Sequence, residues 1–393
     1  MEQKQIRIEA IRKKDLYEFA MGIPEKPEFS AVAPISLLRA GSQVMNPYAK
    51  DDDIVLFVAY QGDRCIGYHG LLPGLLKTAG GFSKINWSTA IFVSPHFRGH
   101  GIMGRLFSRI KTLNEDFVVT GMNAQARTFY KRLGLNRLGQ LFYFQLFLER
   151  LNVFGTFCRK FLSFLERRGI QSPKYLSISD RLAEKIYSIQ KNIFYRMLIT
   201  REIEKVNDIR YREVDQITKV TRNTEKFNNS VSGFYRGVEV INWMIKHPWI
   251  VSSDDIQEDI RKYYFSTMRE TFKYIALEIF SKKEESFKGY LVLSVSKKET
   301  RTVVKMLDFY FENPKDCCTA FILTIKYAHA FLADQVEFPD DPAMHFKRSV
   351  LFKHLVKKKD RLYLYFPGTE SSPLSAGPGH IAFNYCDGDT PFT

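Results

Sequence analysis

The chain has 393 residues, and its size, composition and charge exclude several classes of protein. An apolar fraction of 45% and a charged fraction of 26% are typical of a globular protein, so a disordered, collagen-like or low-complexity chain is excluded. This length favours two domains over one core. The formal net charge of +15 indicates contact with a polyanion, which is a nucleic acid, a membrane surface or a phosphorylated ligand.

Targeting and cysteine signals favour a reducing compartment. The N-terminal segment MEQKQIRIEA lacks the apolar core of a signal peptide. No apolar run of the sequence is long enough for a membrane-spanning helix. The five cysteines are an odd number without the spacing of metal ligands. We therefore expect a cytoplasmic protein without a bound metal.

The first 150 residues predict one α/β domain with a mixed sheet. Apolar, β-branched runs in the first part predict antiparallel strands, and a strand–helix–strand crossover follows them. One predicted helix of this region spans about 102–110, and a second begins after Asn123. The predicted strands, in chain order, cover 53–60, 65–77, 84–94, 117–121 and 137–148.

The rest of the chain predicts a connector and a second domain. Residues 151–180 predict a helical connector with a stripe of phenylalanines at helical spacing, formed by Phe154, Phe157, Phe161 and Phe164. Residues 181–393 predict helices, three strands and another helix. These strands cover 272–280, 287–296 and 302–311, and the helix covers 317–332. This order resembles that of the first domain.

A glycine-rich loop lies between the third strand and the helix at 102–110. Gly99 and Gly101 allow a sharp turn and a close approach of the backbone to a ligand. The first amides of the helix have no internal partners, and with the helix dipole they form a site for phosphate or pyrophosphate. Arg98 adds a positive charge at the mouth of the loop. The alternative is a glycine turn that only caps the helix.

A second stretch follows the strand at 117–121. Asn123 suits the N-cap of the next helix, and Gly134 suits its end. Ala126 and Tyr130 share one face of this helix. On periodicity alone, Tyr130 is an aromatic residue of the core.

Together the two stretches resemble the GNAT-type N-acetyltransferase superfamily. The run Arg98-Gly-His-Gly-Ile-Met103 matches its pyrophosphate loop, R-x-x-G-x-G/A, except that Met103 replaces a small residue and Gly104 follows it. The run Asn123 to Leu135 matches its second motif, N-x-x-A-x-x-x-Y-x-x-x-G-F. The resemblance covers about residues 4–148 and implies a GNAT acyltransferase fold, followed by a second GNAT-like domain.

This resemblance implies acetyl-CoA as the acyl donor and no metal. The donor lies in a splay between the strand that ends at Val93 and the strand at 117–121. A strand amide near Phe92 or Val93 polarises the thioester carbonyl, a primary amine attacks directly, and Tyr130 protonates the departing thiolate. The residues implied in acetyl-CoA binding are Phe92, Val93, Arg98, Gly99, His100, Gly101, Ile102, Met103, Gly104, Asn123 and Tyr130.

The general base is less well defined by the sequence. Many family members carry a glutamate on the strand before the loop, whereas this strand has no carboxylate between positions 84 and 92. His69, on the preceding strand, is the first candidate, because its side chain ordinarily titrates near neutral pH. A buried structural role for His69 and a water chain ordered by Asn86 and Ser88 are the alternatives.

The second domain resembles the superfamily in its order of elements only. Its strand–helix junction, residues 311–316, contains no glycine, and Glu312 and Asp316 would repel a pyrophosphate. We therefore expect a degenerate GNAT-like domain that shapes the acceptor pocket or supports the first domain. Asp387-Gly388-Asp389 either holds a cationic amine or sugar hydroxyls, or forms a surface turn.

These observations favour an acetyl-CoA-dependent N-acyltransferase that acts on a small-molecule amine, with an amino sugar as the preferred acceptor. A protein N-acetyltransferase is the alternative within the enzyme class. A non-catalytic, basic GNAT-like binding module is the alternative outside it. The positive charge is scattered rather than arranged in a stripe, so neither nucleic acid nor a membrane surface is the favoured partner. The oligomeric state is left open.

Overall fold

The computed structural model describes residues 5–78, 80–151, 173–202, 208–218, 232–252, 263–265, 267–299, 301–340, 354–375 and 381–392. The strands are β1 (Ile6–Arg12), β2 (Ile54–Gln61), β3 (Arg64–Thr78), β4 (Gly81–Val93), β5 (Asp116–Val119), β6 (Asn136–Phe147), β7 (Ile209–Val214), β8 (Gly233–Tyr235), β9 (Ile250–Ser252), β10 (Thr267–Arg269), β11 (Thr271–Ser281), β12 (Phe287–Lys298), β13 (Arg301–Phe311), β14 (Gln335–Pro339) and β15 (Val356–Phe366). The α-helices are α1 (Lys13–Met21), α2 (Leu37–Val44), α3 (Ile102–Lys111), α4 (Ala124–Arg132), α5 (Pro173–Glu202), α6 (Val238–Lys246) and α7 (Cys318–Ala330).

The predicted mixed α/β fold is confirmed, and the predicted strands correspond to β2 to β6 and β11 to β13. The structure adds β1, α1 and α2 before the first predicted strand. Most of the predicted connector at 151–180, with its phenylalanine stripe, lies outside the described residues, and α5 begins inside it. Within the described ranges, we find no helix long and apolar enough to cross a bilayer.

Contacts divide the chain into two compact units that do not follow sequence order. The first unit contains Met1–Leu141, Asp215–Phe272 and Asp360–Thr393. The second contains Phe142–Val214 and Lys273–Lys359. The predicted boundaries at residues 150 and 181 do not coincide with these units, because β8 and the end of β15 pair with strands of the first unit.

The first unit is built on a sheet with the strand order β1-β2-β3-β4-β5-β15, and β8 also pairs with β3. Strands β1 to β4 are antiparallel to their neighbours, β4 and β5 are parallel, and β15 is antiparallel to β5. A parallel pair needs a crossover connection, which α3 supplies here. Separate apolar clusters contain residues of α1 and α2 and residues of α3 and α4.

The second unit repeats this arrangement within itself. Strands β12 and β13 are antiparallel, α7 follows β13, and β14 then lies parallel to β13. The pairing of β13 with β14 covers only Val303–Lys305, although β13 continues to Phe311. The second unit therefore has the same strand–helix–strand order as β4, α3 and β5 of the first unit.

Candidate active site

The site begins where β4 and β5 separate. Their parallel pairing joins Ile85 to Asp116 and ends with Trp87 opposite Val118, whereas β4 continues to Val93. Beyond Trp87 the edge of β4 that faces β5 is no longer paired with that strand. The predicted splay between these two strands is therefore present in the first unit.

A bulge in β4 lies beside this splay. His69 of β3 pairs with Ile91 and Gly70 pairs with Thr89, so Ala90 has no partner in this register. Ala90 has a φ of 40°, a left-handed conformation that is uncommon for a residue with a side chain. Bulges bend a strand and change the direction of the side chains that follow. Ala90 therefore sets the course of the last part of β4, up to Val93.

The strand register determines which amide faces the splay. The Ser94 amide donates to the carbonyl oxygen of Ile66 at 2.8 Å. Because the direction of donors alternates along an antiparallel strand, the Phe92 amide also faces β3, and the Val93 amide faces the open edge. Arg98 Nε donates to the Val93 carbonyl oxygen at 3.4 Å. Of the two amides predicted from the sequence, that of Val93 is in position to polarise a carbonyl group.

The loop after β4 has the geometry of an anion site. Gly99 and Gly101 have φ values of 86° and 73°, and Gly101 is the N-cap of α3. The Arg105 amide donates to the carbonyl oxygen of this N-cap residue, Gly101, at 3.1 Å. The amides of Ile102, Met103 and Gly104 precede that bond and form the N-terminus of the helix.

This loop leaves room for a phosphate group. A Cβ atom built on Gly99, Gly101 or Gly104 would have no heavy atom within 4 Å apart from its chain neighbours and the backbone of its own helix. The loop therefore presents its backbone to open space, as a pyrophosphate cradle requires. Met103 is half-buried against the same apolar cluster as Ile102 and Tyr130, so its side chain packs inward and its amide remains in the first turn.

Helix α4 carries the predicted tyrosine. Asn123 caps this helix, since its Oδ1 accepts a hydrogen bond from the Ala126 amide at 2.8 Å. Gly134 follows the helix with a φ of 88°. Tyr130 is only 1% exposed and packs on Phe107 and Phe117. The local signals of the second motif are thus confirmed as helix caps and a buried aromatic face.

Ser88 connects Tyr130 to His69. The hydroxyl oxygen of Tyr130 lies 2.8 Å from Ser88 Oγ, and His69 Nε2 lies 2.8 Å from the same oxygen. His69 Nδ1 has no hydrogen-bond partner within the part of the chain that the structure describes. A buried N–H without a partner costs more than a buried lone pair, so we assign the proton to Nε2. His69 then donates to Ser88, and Ser88 donates to Tyr130.

Burial sets the protonation states of Tyr130 and His69, the two residues that Ser88 connects. Burial raises the pKa of Tyr130, and the hydrogen bond from Ser88 partly opposes that shift. His69 is fully buried, and this lowers its pKa to about 3. The expectation that His69 titrates near neutral pH is therefore wrong, because removal from water disfavours the charged form of its side chain.

Asn86 belongs to a different group of polar side chains. Its Nδ2 donates to Glu115 Oε2, and Lys84 Nζ lies 2.7 Å from the other oxygen of Glu115. Lys84 also pairs with Asp53 at 2.6 Å. The amide group of Asn86 therefore bonds to Glu115, whereas Ser88 bonds to His69 and Tyr130.

A small cavity of about 50 Å³ lies next to Trp87 in the first unit. Its walls combine aromatic rings, a carboxylate and a guanidinium group. The Trp87 and Phe234 rings pack with their centroids 4.3 Å apart. The residues that line it include Tyr48, Trp87, Phe234, Tyr235, Arg236, Trp243 and Asp387. Segments near positions 235 and 387, far apart in the sequence, thus complete a cavity beside β4.

Asp387 is buried in this cavity, with 2% of its surface exposed. The interpretation of residues 387–389 as a surface turn is therefore wrong for Asp387. Its neighbour Asp389 pairs with the buried Arg39 at 3.6 Å, and the Arg39 guanidinium lies 4.4 Å from the centre of the Trp249 ring. Sequence reasoning had no signal for this packing, because the partners come from distant segments of the chain.

The corresponding junction of the second unit lacks a cradle. Asn313 caps a short 3-10 helix that spans Pro314–Cys317, and its side chain accepts from the Lys315 amide at 3.1 Å. The Asp316 amide donates to the Asn313 carbonyl oxygen at 2.9 Å. These amides are bonded within the loop, and Pro314 has none to offer. No group of metal-ligating side chains is found among the described residues of either unit.

Comparison with known proteins agrees with this geometry. Residues 52–135 match the family model of the acetyltransferase (GNAT) domain. This span includes the splay, the glycine loop, Ser88 and Tyr130. This part of the chain therefore resembles a GNAT acetyltransferase domain, as the two motifs predicted. No curated protein matches the sequence.

Solved structures with a similar course of the chain include an N-acetyltransferase from Anabaena variabilis, with a TM-score of 0.47, 10% identity, and coverage of 93% of this chain and 73% of that one. N-myristoyltransferase from Saccharomyces cerevisiae with bound myristoyl-CoA has a TM-score of 0.49, 9% identity, and coverage of 93% and 83%. A tandem GNAT protein from the clavulanic acid pathway has a TM-score of 0.45, 11% identity, and coverage of 94% and 100%.

Proposed function

We propose that this protein is an acetyl-CoA-dependent N-acyltransferase that acylates a small primary amine. The observation that carries this proposal is the contact of the Tyr130 hydroxyl with Ser88, the first β4 residue beyond the pairing of β4 with β5. An acyl donor needs an anion site, a carbonyl-polarising donor and a proton source within one cleft. The glycine loop, the Val93 amide and the Tyr130 hydroxyl are our candidates for these three elements.

In the proposed mechanism, the loop amides bind the pyrophosphate of acetyl-CoA, with Gly99, Gly101 and Gly104 leaving room for it. The thioester enters the splay, where the Val93 amide donates to its carbonyl oxygen. A neutral amine attacks the carbonyl carbon, and negative charge develops on that oxygen as the tetrahedral intermediate forms. A preorganised donor of this kind contributes about 10²–10³ in rate.

When the intermediate collapses, the C–S bond breaks and the thiolate takes the proton of the Tyr130 hydroxyl. Ser88 supports this step, because its hydroxyl donates to the tyrosine oxygen and stabilises the developing phenolate. The nitrogen loses its surplus proton to solvent as the amide forms, and the Tyr130 phenolate takes a proton back from solvent. His69 orients Ser88 through its Nε2 proton. In this proposal His69 is a positioning residue, and it does not contact the substrate.

The cavity beside Trp87 supports a small acceptor. Its volume of about 50 Å³ suits the amine end of a small molecule, and its aromatic walls suit a cation. An amino sugar fits this description, as do other small amines with polar substituents. The described side chains contain nothing that selects among them.

Calorimetry followed by a thiol-release assay tests this function. We expect one acetyl-CoA molecule to bind per chain, because only the first junction has a glycine cradle. We expect thiol release with at least one amine of a panel of amino sugars, amino acids, polyamines and a peptide with a free N-terminus. Myristoyl-CoA serves as the alternative donor. Binding without turnover on any amine would contradict an enzymatic role, and two equivalent sites would contradict the assignment of the cradle.

A further inference from the structure

The reaction needs a base that neither β4 nor His69 provides. An aliphatic amine with a pKa near that of lysine, about 10.4, is protonated at neutral pH and has no lone pair for attack. The described residues of β4 carry no carboxylate between positions 84 and 92. His69 is fully buried and is bonded to Ser88.

Asp387 has one oxygen available for a ligand. Its Oδ2 accepts hydrogen bonds from the Asn384 amide at 2.7 Å and from the Tyr363 hydroxyl at 3.2 Å. Its Oδ1 is buried and has no hydrogen-bond partner in the described part of the chain. Buried polar atoms are rarely left in this state, so this unpaired oxygen of a residue that lines the cavity calls for a donor.

Asp387 also lies beside the splay. A Cβ atom built on the next residue, Gly388, would lie 3.5 Å from the Trp87 ring and 3.6 Å from Thr120 Cγ2. Trp87 is the last β4 residue paired with β5, and Thr120 directly follows β5. The turn that carries Asp387 therefore lies against both strands where they separate.

The charges around Asp387 suit proton transfer at neutral pH. Burial raises its pKa to about 6, while Arg236, Arg361, the Asn384 amide and the Tyr363 hydroxyl act in the opposite direction. A carboxylate with this pKa is largely ionised at pH 7. It is also a stronger base than an exposed aspartate.

We propose that Asp387 is the general base that deprotonates the acceptor ammonium group in the cavity beside Trp87. This inference rests on the proposed function. One proton moves from the ammonium nitrogen to Asp387 Oδ1, and the freed lone pair then forms the C–N bond with the thioester carbon. The proton leaves Asp387 to solvent after the amide product departs.

Asp387→Asn tests this role with two acceptors of different basicity. The asparagine keeps the size of the side chain and one oxygen acceptor, but it cannot take the proton. With the best amine of the panel, we expect kcat/KM to fall at least about 10²-fold at pH 7. With methoxyamine, which is uncharged at pH 7, we expect a change of threefold or less. Asp63→Asn, in the exposed turn between β2 and β3, is the control and should leave both reactions unchanged.

Three results would overturn the inference in different ways. Equal losses with both amines would make Asp387 a binding or structural residue. Unchanged activity of Asp387→Asn, with normal acetyl-CoA binding by the wild-type protein, would overturn the base assignment and leave the proposed function intact. A wild-type protein that binds no acetyl-CoA would overturn the proposed function itself.

The pH dependence of kcat/KM of the wild-type protein tests the inference independently, in case the variant does not fold. Its kcat/KM for the strongly basic amine should rise with pH through about 6, as Asp387 loses its proton. The same profile with methoxyamine should be flat in that range, because no base is needed. Identical profiles for both amines would contradict the inference.

Discussion

The hydroxyl oxygen of Tyr130 lies 2.8 Å from Ser88 Oγ, which ties helix α4 to strand β4 at the point where β4 leaves β5. This contact fixes the tyrosine rotamer inside an apolar cluster, where an unpaired hydroxyl would be costly. It also gives Tyr130 a donor that stabilises its ionised form. Substitutions of Tyr130 and Ser88 can therefore distinguish a role of the tyrosine hydroxyl in catalysis from a role of its ring in packing.

Tyr130→Phe removes the hydroxyl and keeps the ring and its contacts. We expect kcat to fall by about 10²-fold, within the usual range for a lost general acid, and the Kd of acetyl-CoA to stay within twofold. Ser88→Ala should lower kcat by about tenfold, because Tyr130 loses the donor that stabilises its ionised form. Steady-state kinetics and calorimetry measure both quantities. A kcat within twofold of the wild-type value for Tyr130→Phe would make Tyr130 a core residue only.

Gly101→Asp should abolish acetyl-CoA binding. Position 101 has a φ of 73° and open space at the Cβ position, so the new carboxylate would occupy the proposed pyrophosphate site. Gly62→Asp is the matched control, since Gly62 has a φ of 58° in the turn between β2 and β3. It introduces the same backbone strain and charge away from the loop. Equal loss of acetyl-CoA affinity in both variants would assign the effect to strain.

Burial of His69 should make the protein less stable in acid. Its pKa is about 3 in the folded state and about 6.5 in the unfolded state, so between these values the unfolded chain binds the additional proton. The contribution of His69 to the free energy of unfolding is thus lost as pH falls below about 6.5, by up to about 1.4 kcal/mol per pH unit. His69→Gln removes this contribution.

Urea denaturation of the wild-type and His69→Gln proteins between pH 7 and pH 4.5 measures the contribution of His69 to the free energy of unfolding. We expect the wild-type free energy of unfolding to fall more steeply with decreasing pH than that of the variant. Parallel curves would show that His69 has the same pKa in the folded and the unfolded protein.

A fragment that ends at residue 150 should not form a soluble monomer. It lacks β15, whose Leu364, Tyr365 and Phe366 pair with β5, and it also lacks β8, which pairs with β3. Removal of β15 bares the edge of β5, and an unpaired edge favours aggregation. Size-exclusion chromatography measures this outcome. A monomeric fragment with the acetyl-CoA affinity of the full chain would contradict the assignment of β8 and β15 to the first unit.

Local patterns were sufficient for the elements and the loop of the first unit. The caps at Asn123 and Gly134 and the turn at Gly101 depend on neighbouring residues, so the sequence predicts them directly. The parallel crossover through α3 followed from the same kind of pattern.

The remaining features depend on residues far apart in the chain. The burial of Asp387 depends on Tyr363, Arg236 and Trp87, and no periodicity links these positions. The low pKa of His69 results from complete burial, which the alternation of its strand did not show because β3 is buried on both faces. The pairing of β15 with β5 joins segments about 240 residues apart, so the sequence-based boundary at residue 150 did not include it.

Mass spectrometry of the acylated amine tests the proposed acyl transfer most directly, in a reaction of the full-length protein with isotopically labelled acetyl-CoA and the amine panel. We expect a labelled amide product from the wild-type protein, a rate lower by about 10²-fold with Tyr130→Phe, and no product with Gly101→Asp. The absence of labelled amide from the wild-type protein, or equal product from all three proteins, would contradict the proposed acyl transfer.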